Sequence, residues 1–282
     1  MPSDEKTPGR PQFSCTPSGG QTRSDWAGGD EKTPGRPQFS CTPSERRTRR
    51  DRAGGDPVDH EQQILDCWYQ NADPWVDAIR HQEIASRVLV THRAIESAVV
   101  ATQPGSVIDV GCGEGWLVRR LSERGIAARG LDLVPALVDS AMRQGGEFAV
   151  ASYDDIARGA VDWRADTVSC NFALLGKAST EQLLRGVPRL MNPGASFVVQ
   201  TLHPVEACGT QVYEDGWRPG SWDGFNPRFV NAAPWYFRTL ENWRALFAAT
   251  GLQLVSEHWP IHPHTGRPAS VVFSALVAGD RR

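Results

Sequence analysis

Between residues 106 and 201, short apolar runs alternate with stretches of helical spacing, and no other feature constrains this chain as much. "SVIDV" reads as a strand and "WLVRRLSERG" as a helix closed by Gly125. "IAARGLDL" is a second strand. "PALVDSAMRQGG" is a second helix, with proline near its start and glycine after its end, the asymmetry that helix termini favour. "EFAVA" and "ADTVSCNFALL" follow as strands, "TEQLLRGVPRLM" as a helix and "ASFVVQTL" as a fifth strand. Further on, "TLENWRALFAATG" is a helix with a threonine cap, and "LQLVSEHW" and "SVVFSALVA" are two last strands with no helix between them. Such alternation predicts a parallel-rich sheet covered on both faces, with one of the final strands entering antiparallel. The expected architecture is therefore α/β, a doubly wound, mostly parallel seven-stranded sheet.

Ahead of this block, residues 74 to 100 place Val76, Ile79, Ile84, Val88, Ile95 and Val99 at helical spacing, with Pro74 in a first-turn position and an interruption near Thr91. They predict a leading helix. The first 56 residues differ in kind. "DEKTPGRPQFSCTPS" occurs at 4–18 and again at 30–44, and "AGGD" at 27–30 returns at 53–56. Two copies of a Pro/Gly/Ser/Thr-rich unit cannot bury a core, so residues 1–56 are expected to be a disordered tail before a domain at 57–282. Its basic finish, "ERRTRRDR", could tether a polyanion, but a duplicated tract without a role explains it more simply.

Composition narrows the class. A net charge of −3 gives no global reason to expect nucleic acid or an anionic membrane as partner. No apolar run nears the roughly 18 residues that a membrane span needs, and the opening residues lack the apolar segment of a secretory signal. The six cysteines form no CxxC pair, which suits reduced thiols in a cytoplasmic protein. His258, His262 and His264 are interleaved with prolines, as in a rigid loop, and a metal site would need further carboxylates close by, so no metal is expected.

"VIDVGCGEGWL" follows the first strand and sets Gly111, Gly113 and Gly115 at alternate positions. Glycines so placed allow a tight strand-to-helix turn and close approach of a ligand to the main chain. In an open α/β sheet that turn lies at the carboxyl ends of the strands, where ligands bind. A dinucleotide fingerprint would need a third glycine where Trp116 stands, and Glu114 would oppose a pyrophosphate. No G-K-[ST] follows to make a phosphate loop.

These residues resemble the class I S-adenosylmethionine-dependent methyltransferases. The family's first motif, an acid followed by G-x-G-x-G, is matched by Asp109, Gly111, Gly113 and Gly115, and its acid ending the second strand by Asp132. "LMNPGASFVVQTLHP" is similar to the family's turn before the fifth strand, with Ala195 in place of a second glycine. The likeness runs over residues 74 to 278 and implies a Rossmann-like fold with S-adenosyl-L-methionine as cofactor. By this resemblance Gly111 and Gly113 let the methionine part and ribose lie against backbone. Asp132, with Leu133 beside it, would take the ribose hydroxyls, two acceptors meeting two donors. Asp109 would hold the cofactor's amino group. Asn171 would present its backbone carbonyl to the same group. The adenine would meet the loop "SYDD", where the register leaves Ser152, Tyr153 and Asp154 all as candidates. Arg87, on the leading helix that serves some members as a lid, could clamp the methionine carboxylate; a solvated helix arginine is the plainer alternative.

The stretch 203–238 is where the family builds its acceptor pocket, and here it holds Trp217, Trp222, Trp235, Tyr236 and Phe237. An aromatic-rich insert suits a small, flat or apolar acceptor, although aromatics also simply pack. His203, just after the fifth strand, is the candidate base for a hydroxyl acceptor; a histidine bracing Pro204 is the alternative. The expected activity is methyl transfer to oxygen or nitrogen of a small molecule by a monomer or homodimer. An RNA or protein methyltransferase, or a cofactor-binding module without catalysis, is the competing reading. The domain lacks a basic stripe for RNA, and "NFALL" stands where an amine-methylating N-P-P-[YW] signature would follow the fourth strand.

Overall fold

A computed structural model describes residues 59–279. The repeat-bearing tail, 1–56, lies outside the described residues. The domain's sheet contains β1 (Ser106–Val110), β2 (Ala127–Asp132), β3 (Glu147–Val150), β4 (Ala165–Asn171) and β5 (Met191–Thr201), joined at its far edge by β8 (Leu252–His258) and β9 (Val271–Val277). The order is β3-β2-β1-β4-β5-β9-β8. β9 runs antiparallel to both β5 and β8, and the other pairings are parallel. The seven-stranded expectation holds, with β9 as the reversed strand.

Side chains alternate across this sheet, and the two faces meet different helices. Ile108 and Val110 join the cluster that holds Leu183, Leu184, Phe197, Phe247 and Phe273. These come from α7 (Ala178–Gly186), α9 (Leu240–Ala249) and the sheet's own strands. Val107 instead packs with Ile95, Val99, Leu117 and Leu121, on α3 (His92–Ala101) and α4 (Trp116–Ser122). Asp109 has the parity of Val107, so it faces the α3 side. The crossover between β2 and β3 is α5 (Pro135–Arg143), opened by its proline.

The leading region differs from the single helix expected over 74–100. α1 (His60–Gln70) comes first, capped by Asp59, whose carboxylate accepts from the amides of Glu61 and Gln62. α2 (Ala72–Arg80) ends in a turn where Gln82 has φ +56°. Helix then resumes, and Arg87–Thr91 is a π-helical turn running straight into α3. The apolar spacing persists across 81–84, which is why periodicity alone reads one helix there.

Four further elements go beyond the sequence expectation. α6 (Tyr153–Arg158) starts on a capping box between Ser152 and Asp155. The insert is also partly ordered, with α8 (Pro204–Cys208) and a two-stranded hairpin of β6 (Gly216–Arg218) and β7 (Trp235–Phe237).

Candidate functional site

β1 ends directly in the glycine turn. The amides of Gly111 and Cys112 both donate to Leu131 O on β2, at 2.7 and 3.0 Å, which folds the chain sharply back over the strand ends. Gly111 has φ +71°, and a Cβ there would sit 2.4 Å from Cβ of Ala173 in the loop after β4. That close approach, with the left-handed backbone, requires glycine. Gly113 is different. The nearest atom to a Cβ there is Nε1 of Trp75, at 3.4 Å, so α2 lies over the turn at this residue.

Two carboxylates flank the turn. Asp132, partly exposed at the end of β2, accepts from Gly113 N through Oδ2 (2.8 Å) and from Val134 N through Oδ1 (2.9 Å). It thereby ties the glycine turn to the loop holding Leu133. Burial raises its pKa against the opposing pull of these amides. Asp109 is 2% exposed, and its Oδ1 accepts from Ser169 Oγ at 2.7 Å. Burial lifts its pKa to about 7, with Ser169 and Arg87 pulling down and Asp132 pushing up.

Arg87, on the π-helical turn, is 7% exposed and so is no solvated surface arginine. Its guanidinium lies between the rings of Trp75 and Trp116, at 5.1 and 5.5 Å, a cation–π sandwich. Nε donates to Nε2 of His92 at 2.8 Å. Burial lowers the Arg87 pKa to about 10, while Glu114 and Asp109 pull it upward. Burial and the neighbouring Arg87 push His92 down to about 3, so its imidazole is neutral and free to accept. Glu114, 3% exposed, is occupied by Arg119 and by the amide of Trp116 at 3.1 Å.

The other candidates divide. Tyr153 Oη donates to Ala173 O at 3.1 Å, joining the loops after β3 and β4 beside Gly111. Asp154, the next residue on α6, is exposed, with Arg158 and Gln182 on its oxygens at 2.5 and 2.6 Å. The structure does not gather it with the glycine turn. Asn171 closes β4, its Oδ1 accepting from Gln200 at 2.7 Å, and the following Phe172 has φ +55°. A bulky residue in the left-handed region is uncommon. Here it turns the chain so that Ala173 reaches Gly111.

His203 is 4% exposed and caps α8. Its ring packs edge-on against Trp259 at 4.7 Å, beyond β8 at the sheet's outer edge, and neither ring nitrogen has a partner. Burial lowers its pKa, opposed by Glu206 and Glu257. Among the described residues, its ring contact is with Trp259 rather than with Asp109, Arg87 or Asp132.

Of the insert's aromatics, Trp235 and Phe237 are buried in a cluster with Cys208. Trp217 stays partly exposed between His60 (4.5 Å) and Tyr236 (5.4 Å). Trp222 lies against Phe229 at 4.6 Å and Trp68 at 6.2 Å. Packing accounts for the first pair, while Trp217, Trp222 and Tyr236 keep accessible faces. Among the described residues no cluster of His, Cys, Asp or Glu could hold a metal ion. None of the described helices is long and apolar enough to cross a membrane.

A family model described as a methyltransferase domain matches residues 79–257. The chain belongs to that family. The match takes in the π-helical turn, the glycine turn and the sheet as far as β8. Among relatives of this methyltransferase-domain protein, a ubiquinone biosynthesis O-methyltransferase of Xanthomonas oryzae pv. oryzae is 28% identical over 153 residues. That alignment spans 52% of this chain and 64% of the relative. Solved structures agree on the fold. A Burkholderia thailandensis 1,6-didemethyltoxoflavin N1-methyltransferase, solved with 1,6-didemethyltoxoflavin and S-adenosylhomocysteine, superposes with a TM-score of 0.57 at 14% identity. It covers 79% of this chain and 93% of that one. The glycopeptide N-methyltransferase MtfA superposes at 0.51 with 17% identity, over 66% of this chain and 89% of that one.

Trp75, His92, Trp116, Ser169 and Gln200 contact the residues around the glycine turn, and sequence reasoning does not mark them as candidate site residues. Gln200 carries a readable signal, a polar side chain in the otherwise apolar run "SFVVQTL" of a doubly covered strand. For the others, spacing gives no cue, because they meet across turns from separate elements.

Proposed function

We propose that this chain transfers a methyl group from S-adenosyl-L-methionine to oxygen or nitrogen of a small-molecule acceptor. The observation that carries this reading is the charge pattern around the glycine turn. Asp109 and Asp132 flank it, Arg87 lies within coulombic reach of Asp109, and Glu114 is buried in the turn itself. A phosphate would meet acids there. A ligand bearing a cation, a zwitterionic end and two ribose hydroxyls meets complementary groups instead. Asp132 uses one acceptor site on each oxygen for backbone, leaving lone pairs for hydroxyls. When bound, the sulfonium cofactor supplies an electrophilic methyl group for in-line displacement.

The chain's own contribution is positioning. Asp109 would accept from the amino group, Arg87 would hold the carboxylate, and Tyr153 and Leu133 would border the adenine. α2, through Trp75, closes over Gly113 and shields the site from water. The accessible faces of Trp217, Trp222 and Tyr236 suit a flat or apolar acceptor. The relatives named above act on small molecules, which supports the same class. A cytoplasmic setting fits the four buried free thiols, Cys67, Cys112, Cys170 and Cys208.

The test is direct. Titration calorimetry with S-adenosylhomocysteine should show one site per chain. Incubation with methyl-labelled cofactor and a metabolite extract, read by mass spectrometry, should give a labelled small molecule. Absence of S-adenosylhomocysteine binding would refute the reading. Label appearing only in RNA or protein would move the acceptor to that class.

A further inference from the structure

Gln200 is 1% exposed, pointing from the middle of the sheet into the layer beneath the π-helical turn. Its Nε2 donates to Thr91 O at 2.9 Å and to Asn171 Oδ1 at 2.7 Å, and its Oε1 accepts from Ser270 Oγ at 3.2 Å. These contacts fix two amide orientations by elimination. A backbone carbonyl only accepts, so the atom of Gln200 facing Thr91 is its NH2. The second hydrogen of that NH2 needs an acceptor, so the atom of Asn171 facing Gln200 is its oxygen. The Asn171 NH2 must then turn away from β5.

β4 lies between β5 and β1, so away from β5 is toward the glycine turn. Asn171 pairs with Gln200, and Ser169, two residues earlier, pairs with Asp109. By strand alternation these side chains share the α3 face. The Asn171 NH2 makes no hydrogen bond among the described residues. By strand order and parity it is a donor on the same face of the sheet as Asp109, with its orientation fixed from behind.

We propose that Gln200 is a positioning residue that acts through Asn171: it holds the Asn171 side-chain amide with its NH2 presented toward the glycine turn, where it donates to the carboxylate of a bound amino-acid group. The proposal rests on the reading of the site as an S-adenosylmethionine site. Asp109 and Asn171 then form an acceptor and a donor side by side, matching the ammonium and carboxylate ends of one zwitterion. The bond from Gln200 to Thr91 O makes this orientation depend on the π-helical turn being seated on the sheet. The same turn carries Arg87.

A double-mutant cycle on affinity for S-adenosylhomocysteine tests this, with calorimetry on the full-length protein carrying Gln200→Glu, Asn171→Ala or both. Gln200→Glu preserves shape and the bond from Ser270 but removes both donors, so the Asn171 amide turns over and offers oxygen to the carboxylate. Gln200→Met, of similar length, covers the case in which a buried glutamate prevents folding. Each Gln200 variant should weaken binding at least tenfold with Asn171 present and less than twofold in the Asn171→Ala background, because coupled residues are not additive. 5′-Methylthioadenosine, which lacks the amino-acid part, should bind all variants within twofold of wild type. Unchanged affinity in the Gln200 variants overturns the proposal. So does an equal loss with and without the Asn171 side chain, or an equal loss for 5′-methylthioadenosine; either would mean that Gln200 only braces the fold. Wild-type protein that fails to bind S-adenosylhomocysteine overturns the proposed function itself, a result separate from these.

Discussion

Replacing Asp109 with asparagine should stabilise the ligand-free protein above neutral pH while weakening its binding site. Burial holds the Asp109 carboxyl at about 7, against 3.8 when unperturbed. The folded state therefore binds this proton more tightly than the unfolded chain does. Between pH 4 and pH 7 stability falls as pH rises, because the unfolded chain releases this proton while the folded state still holds it; above about pH 7 the folded carboxyl ionises too and the fall levels off. At pH 8 the accumulated cost is up to about 4 kcal/mol, and at pH 4 under about 1 kcal/mol. Asparagine is nearly isosteric, retains the bond from Ser169 Oγ and never ionises. Urea unfolding of wild type and Asp109→Asn from pH 4 to pH 8 should show the variant gaining on wild type as pH rises. Affinity for S-adenosylhomocysteine should fall at least tenfold in the same variant, since a charge-assisted bond is worth roughly 1.5–3 kcal/mol. A stability difference that is the same at pH 4 and pH 8, or a less stable variant at pH 8, would refute the argument.

Other outcomes follow from the geometry. Gly111→Ala should destabilise by at least about 2 kcal/mol, measured by chemical unfolding, since its Cβ meets Ala173 at 2.4 Å on a left-handed backbone. Asp132→Asn should lower affinity for S-adenosylhomocysteine about tenfold or more. It should also lower the melting temperature, because an amide cannot accept from both Gly113 and Val134 as the carboxylate does. His203→Phe should keep or raise stability, because the ring nitrogens it removes are buried without partners. Its pH–rate profile should match wild type; loss of an ionisation with a hundredfold drop in turnover would instead make His203 the general base.

The sheet was legible because parallel strands covered on both faces read as continuous apolar runs, and helix ends carry proline and glycine. Asp109, the glycines and Asp132 were legible because they sit on one short motif. The parts that were not legible depend on partners distant in sequence. Asn71, ending α1, is fully buried because its side chain bonds Val230 twice, through Nδ2 to its carbonyl (2.9 Å) and through Oδ1 from its amide (2.8 Å). No local pattern announces a partner 159 positions away. The adenine loop was ambiguous for another reason. Once α6 begins at Tyr153, helical rotation turns Asp154 to solvent while Tyr153 and Ile156 face inward, a switch that a loop reading cannot make.

The same kind of long-range contact fastens the insert 203–238 to the leading segment. Residues of the insert clasp α1 and α2 through the Asn71–Val230 pair and an ion pair from Arg228 to Asp77. Trp222 of the insert touches Trp68, Trp68 lies edge-on to Trp75 at 5.2 Å, and Trp75 covers both Gly113 and the Arg87 guanidinium. A contiguous run of aromatic contacts thus joins the insert to the glycine turn. Asp109 lies under these contacts at 2% exposure and Arg87 at 7%. Under the proposed function, the insert fastened to α1 and α2 would be expected to move with them, so that a molecule bound on either side would favour the closed arrangement for both.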